Sequence, residues 1–224
     1  MIVRRFDDVS AMEQEAVALL KQHFGLSCPG PHAVMLTGGR TPLGLYKRVE
    51  ESPGRIDDRL HLLISDERHV GEDSPDHNFA AVRPMIDAMG IDDSRVMRVD
   101  TRLSLGAAAD RYDRDLGVFL ERGGRITLGI LGLGADGHVA SLFGRRDVAA
   151  AAGRYAVAVR RSDGPDRVSA TRDLLLKVER PVLFVAGPAK AQVVDKMASD
   201  PASVTAGQVF QDAAGVELWY CPAT

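Results

Sequence analysis

The chain is 224 residues long, which at about 150 residues per domain fits one domain better than two. Apolar residues make up 45% and charged residues 26%, which excludes a disordered, collagenous or disulfide-framework chain. With 28 Lys and Arg against 31 Asp and Glu the formal net charge is −3, so the charge balance invites neither nucleic acid nor an anionic membrane.

The opening MIVRRFDDVSAMEQEAVALL breaks its apolar stretch with acids, so no leader peptide is expected, and no run approaches the ~18 apolar residues of a membrane span. Cys28 and Cys221 lie far apart in no metal spacing and read as reduced thiols of a cytoplasmic protein. Along the chain, short β-type runs alternate with longer helical patterns, the mark of an α/β fold with a mainly parallel sheet. Strands are expected over residues 2–6, 33–37, 60–65, 95–99, 125–131, 155–159, 181–186 and 216–220. Between the first two, Ser10 and Glu13 form a capping box that opens a helix running to about Phe24, with Ala16, Leu19, Leu20 and Phe24 on its apolar face. A second helix, from about Ser104 to Arg122, buries Leu105, Ala109, Tyr112, Leu116 and Phe119. No repeat, low-complexity tract or linker divides residues 1–224, so a single domain is expected.

Ligands of such sheets sit at the carboxyl ends of the strands, and three segments there are unusual. The first is Gly38-Gly39-Arg40-Thr41-Pro42, followed by the helical pattern LGLYKRVEE. Its glycines allow a tight turn with exposed N–H groups, Thr41 can cap the helix, and Pro42 suits its first turn. Free N–H groups and the helix dipole converge on such a turn and make it an anion cradle, to which Arg40 adds a full charge. A tight strand-to-helix turn without a ligand explains the segment equally well.

The second segment, SDERHV, places Asp66, Glu67, Arg68 and His69 at a strand's carboxyl end, suited to a polar ligand or to mutual pairing at the surface. The third, GILGLGADGHVASLF, contains Gly132-Leu-Gly134-Ala-Asp136-Gly137, which satisfies the dinucleotide fingerprint G-x-G-x-x-G. Against that reading, about four strands precede it, Arg160 and Arg161 stand where an acidic ribose ligand belongs, and Asp136 puts a carboxylate inside the supposed pyrophosphate cradle. His138 is better read as an acid–base residue, an imidazole able to take a proton from water near neutral pH, with Asp136 orienting it. The bland alternative is that the two only cap the next helix and bond each other. Of the histidines open to a metal, His61 lies inside a strand, and His61, His69, His77 and His138 share no ligand spacing.

Together these segments resemble the 6-phosphogluconolactonase family, within the superfamily that also holds glucosamine-6-phosphate deaminases. TGGRTP stands beside the family's SGGSTP, SDERHV beside DER-x-V, Asp76-His77-Asn78 beside S-N, and GLGADGHVASLF beside G-x-G-x-D-G-H-x-A-S-L-F. Arg167-Val168 is similar to its R-I-T strand, and AGPAKA around Lys190 to G-x-x-K-A. Arg40 and His77 replace serines, and LFGRRD lacks the family's Pro-Gly after Phe143.

The resemblance implies a three-layer sandwich, a mainly parallel twisted sheet between helices, similar to the deaminase fold. It also implies hydrolysis of 6-phospho-D-glucono-1,5-lactone to 6-phosphogluconate, with no metal or cofactor. In that picture His138, with Asp136, activates water. Gly38, Gly39, Arg40, Thr41 and Lys190 hold phosphate, helped by Arg167, while Asp66 and Arg68 contact the sugar phosphate or its carbonyl. The expected partner is a small sugar phosphate, with no nucleic acid and no membrane, for a monomer or weak homo-oligomer. The deaminase branch places a carboxylate five residues after the histidine, where Phe143 stands here, and a phenyl ring relays no proton. A non-catalytic sugar-phosphate sensor is the remaining alternative, for which a base would be superfluous.

Overall fold

A computed structural model describes residues 1–223. The strands are β1 (Ile2–Arg5), β2 (His32–Leu36), β3 (Leu60–Ile64), β4 (Asp66–Arg68), β5 (Val96–Met97), β6 (Arg125–Leu131), β7 (Ala156–Val159), β8 (Arg167–Ala170), β9 (Pro181–Ala186) and β10 (Glu217–Cys221). The helices are α1 (Val9–Phe24), α2 (Leu43–Glu51), α3 (Asn78–Ala88), α4 (Leu105–Glu121), α5 (Arg145–Ala150), α6 (Arg172–Leu175), α7 (Ala191–Ser199) and α8 (Thr205–Val209). No described helix is long and apolar enough to cross a membrane.

Seven strands form one sheet in the order β1-β10-β9-β6-β2-β3-β5, every pair parallel. Parallel strands need covered faces, and the near-continuous apolar runs HAVML and RITLGIL supply side chains to both. Alternation divides them. Val34 and Leu36 join Leu20, Tyr46 and Phe79 on the side of α1, α2 and α3, while Ala33 and Met35 join Tyr112, Leu116 and Val194 on the side of α4 and α7. The expected α/β sandwich is therefore present. A second sheet of three antiparallel strands, β4-β8-β7, caps one end of it.

From β2 the chain continues through β3 to β5 in one direction, and from β6 through β9 to β10 in the other. Connections thus part between the neighbours β2 and β6 and leave a crevice beyond their carboxyl ends.

All eight expected strands exist, those over 125–131 and 181–186 with the expected limits and the other six with changed ones. The run 95–99 shrinks to Val96–Met97, because Asp93–Arg95 form a 3-10 turn capped by Asp92, whose Oδ1 accepts the Ser94 N–H at 2.9 Å. Residues 155–159 contribute β7 to the small sheet, not to the main one.

Two cap assignments are corrected. Asp8 opens α1, its Oδ1 accepting the Ala11 N–H at 2.8 Å. Ser10 and Glu13 instead receive Arg48 of α2, at 2.9 and 2.8 Å, because a carboxylate on a buried helix face is better satisfied by a guanidinium across the interface than by its own N-terminus. Thr41 does not cap α2 either; Pro42 occupies the cap position with no side-chain bond. Cys28 and Cys221 are free thiols, both buried.

Candidate active site

The crevice between β2 and β6 opens into a cleft of about 280 Å³. One wall is the Thr37–Pro42 turn after β2, another the Gly132–Ala140 segment after β6, and Asp66, Arg68, Asn78 and Lys190 close the remainder. The three segments singled out in the sequence therefore meet here.

The turn after β2 is shaped by two glycines with different duties. A Cβ on Gly38 would lie 1.9 Å from Asn78 Oδ1, so no side chain fits, whereas Gly39 has φ +93°, which only glycine adopts without strain. Among the described residues, no protein acceptor takes the backbone N–H of Gly38, Gly39, Arg40 or Thr41. Four unsatisfied donors beside the start of α2 favour an anion. Arg40 is exposed at the rim and extends over the same space.

After β6 the chain turns through Gly132 and Gly134, and His138 Nδ1 lies 2.6 Å from Asp136 Oδ1. The Gly134 N–H donates to the His138 carbonyl at 2.8 Å, and a Cβ at Gly134 would collide with His138 Nδ1 at 2.1 Å. That close approach explains the glycine better than a nucleotide does. No helix opens directly after the turn, α5 beginning only at Arg145, so neither the dinucleotide reading nor the helix-cap reading of Asp136 and His138 finds its helix. Burial opposes ionisation of Asp136, yet the charge and hydrogen bonds of His138 prevail and hold its carboxyl below the ordinary value. An ionised Asp136 fixes the proton on Nδ1 and leaves Nε2 as the basic nitrogen. Ala140, also in the cleft, has φ +50°, a left-handed conformation unusual for a side-chain-bearing residue.

Lys190 follows β9 and donates Nζ to the Leu133 carbonyl at 2.6 Å. Burial lowers its ammonium from the ordinary value, against the opposing charge of Asp136. Arg68 donates to the Asp76 carbonyl at 2.8 Å with its head in the cleft. Asp66 reaches the cleft wall, but its carboxylate is engaged, accepting from Ser65 Oγ at 2.8 Å and Ser141 Oγ at 2.7 Å. It ties the His138 segment to β4.

Arg167 lies opposite Arg68 across the β4–β8 pair and donates to the Pro165 carbonyl; it is not among the residues lining the cleft. Burial, then the charge of Arg68, lowers its guanidinium from the ordinary value. His77 and His69 are turned to structural bonds, His77 Nδ1 accepting from the Ala80 N–H at 3.3 Å and His69 Nε2 lying 2.8 Å from the Leu103 carbonyl. His61 packs on Phe119, and no group of three or more His, Cys, Asp or Glu among the described residues is placed to hold a metal ion.

Asn78 is noted in the sequence only through the resemblance, and Glu67 only as one charge of SDERHV; their roles beside the site are not read from the residues. Asn78 donates Nδ2 to the Asp66 carbonyl at 2.8 Å and floors the glycine turn. Glu67 is almost fully buried and accepts the N–H groups of Arg68, Asn78 and Phe79 at 2.8, 2.6 and 2.8 Å. Burial pushes its carboxyl up to about 7 against the pull of those donors. The signal for Asn78 is its place directly after Asp76-His77; for Glu67 nothing local distinguishes a buried cap from a surface charge.

Residues 7–219 match the family model described as glucosamine-6-phosphate isomerases/6-phosphogluconolactonase. A 6-phosphogluconolactonase of Thermotoga maritima is 38% identical over 111 residues, a stretch spanning 49% of each chain. Another, of Aggregatibacter actinomycetemcomitans, is 28% identical over 216 residues and 92% of each chain. The crystal structure of 6-phosphogluconolactonase from Thermotoga maritima has the same fold, with TM-score 0.82 at 23% identity and 99% of each chain covered. With the family model matched from α1 into β10 and the fold shared throughout, the chain belongs to the glucosamine-6-phosphate isomerase/6-phosphogluconolactonase family.

Proposed function

We propose that the chain hydrolyses 6-phospho-D-glucono-1,5-lactone to 6-phosphogluconate, the lactone-opening step of the oxidative pentose phosphate pathway. One observation carries the reading: a carboxylate-oriented imidazole, Asp136–His138 at 2.6 Å, shares a cleft with four free backbone N–H groups and Lys190. The N–H groups and Lys190 take the phosphate, with Arg40 at the rim, and this leaves Arg68 for the carbonyl region. His138 Nε2 removes a proton as water adds to the lactone carbonyl. Arg68 offsets the charge on the tetrahedral oxyanion. When the carbonyl re-forms, the ring C–O bond breaks, and the ring oxygen takes the proton from His138. The product acid then ionises, so each turnover consumes one water and releases one proton.

The relatives named 6-phosphogluconolactonase support this substrate, and Phe143 supports the lactonase branch. The phenyl centroid lies 4.6 Å from that of His138, where a deaminase relay needs a titratable group.

Proton release from freshly generated lactone, with spontaneous hydrolysis subtracted, tests the activity. His138→Ala is expected to lower kcat by about 10²- to 10⁴-fold with KM within a few-fold. Wild-type turnover in that folded variant removes His138 from the mechanism. Binding without turnover in the parent protein makes it a sensor, and ammonia release from glucosamine 6-phosphate moves it to the deaminase branch.

A further inference from the structure

Asp136 holds His138 by one nitrogen, and Phe143 meets its ring with the planes inclined at 51°. Phe143 in turn carries the guanidinium of Arg161, whose central carbon lies 3.7 Å from the phenyl centroid. A cation that close fills one face of the phenyl ring and leaves the imidazole the other face or the edge. Arg161 comes from the turn joining β7 to β8 and does not line the cleft. Its backbone N–H donates to Asp166 Oδ1 at 2.8 Å and its Nη2 meets Asp163 Oδ1 at 2.6 Å, so both ends of the residue are fixed.

An imidazole held by a single hydrogen bond can still swing about that bond, and a misplacement of about 1 Å can cost as much as 10²-fold in rate. Phe143 blocks the swing only if its own ring is still. The ring is partly exposed, and the stacked guanidinium is what pins it. We propose that Arg161 is a positioning residue for the general base, acting on His138 through Phe143 from outside the cleft. This rests on the reading of His138 as the base.

In the intact chain, Arg161→Met keeps the length of the side chain and removes its planar charge. With the phosphorylated lactone, kcat is expected to fall about three- to ten-fold with KM within about two-fold. Phe143→Leu should cost at least as much, and the double variant no more than Phe143→Leu alone, because Arg161 acts only through that ring. Imidazole NMR adds a readout that loss of stability alone does not move: His138 ring signals should shift or broaden in Arg161→Met while those of His61 stay in place. Unchanged kcat, additive losses, unmoved His138 signals, or a KM rise confined to the phosphorylated lactone would each overturn the proposal, the last by making Arg161 a phosphate ligand. His138→Ala run alongside separates the two levels. Retained turnover there ends the base assignment, whereas lost turnover with an unaffected Arg161→Met ends only the role of Arg161.

Discussion

Lys190 sits where the glycine turn after β2 and the His138 segment meet, with Nζ on the Leu133 carbonyl at 2.6 Å. A phosphate arriving at Gly38–Thr41 adds negative charge next to an ammonium that burial has already made less comfortable, so the pair gains more here than in water. Lys190→Ala is expected to raise KM for the phosphorylated lactone by about ten-fold or more and to leave kcat within a few-fold. Glucono-1,5-lactone without phosphate should be a poor substrate of the parent and little affected by the substitution. Steady-state kinetics on the two lactones checks this, and equal efficiency on both would dissociate Lys190 and the glycine turn from phosphate. The donors in that turn are backbone groups, so the only side chains that announce them are the ones missing at Gly38 and Gly39.

The first turn of α3 shows how an element can lean on distant residues. Its N–H groups at Asn78 and Phe79 end on Glu67 of β4, and that at Ala80 ends on His77. Glu67→Gln leaves one acceptor oxygen for three donors and turns an amide N–H₂ toward one of them. Stability is expected to fall by about 1–3 kcal/mol, measured as a lower denaturant midpoint with unchanged slope; an unchanged midpoint would show that the turn is held otherwise. The same element marks the boundary of what the sequence discloses. Apolar runs and glycines were enough to place β2, β3, β6, β9 and β10 and the loops that follow them, because period and turn chemistry are local. Asp66–Arg68 read as a charged loop and is β4, because its partners Ser141, Ser169 and Asn78 lie far along the chain. No helix is assigned to 78–88 by the sequence either, and Pro84 inside it is a residue that normally forbids one. Arg161 is the extreme case, since nothing in RRSDGPDR points to a phenyl ring across the cleft wall.

At the scale of the molecule, the end of the sheet away from the cleft carries a buried cost. His32 opens β2 with no exposed surface and, among the described residues, no hydrogen-bond partner for either ring nitrogen, and burial, opposed by Asp57, lowers its pKa from 6.5. His23 and His77 are lowered by burial as well. The unfolded chain therefore binds protons before the fold does, and these groups lose stability as pH falls through 6.5. Glu67 works in the opposite sense. Raised from 4.5 to about 7, it favours the fold when protonated, and its contribution declines as pH rises across that interval. Between about pH 7.5 and 5.5 the melting temperature of His32→Leu is expected to fall less, or rise more, than that of the parent, with kcat unchanged. Thermal melts of parent and variant at the two pH values decide it, and parallel pH dependences would acquit His32. The pairing of β1 with β10, Ile2 beside Glu217, bears on how such a chain is made. On a ribosome Ile2–Arg5 emerges long before β10, its neighbour in the sheet among the described residues, so it must wait, unpaired, until Glu217–Cys221 has been synthesised. A nascent chain stopped short of Glu217 would lose two strands of the sheet, β10 because it is not yet translated and β1 because its neighbour is missing.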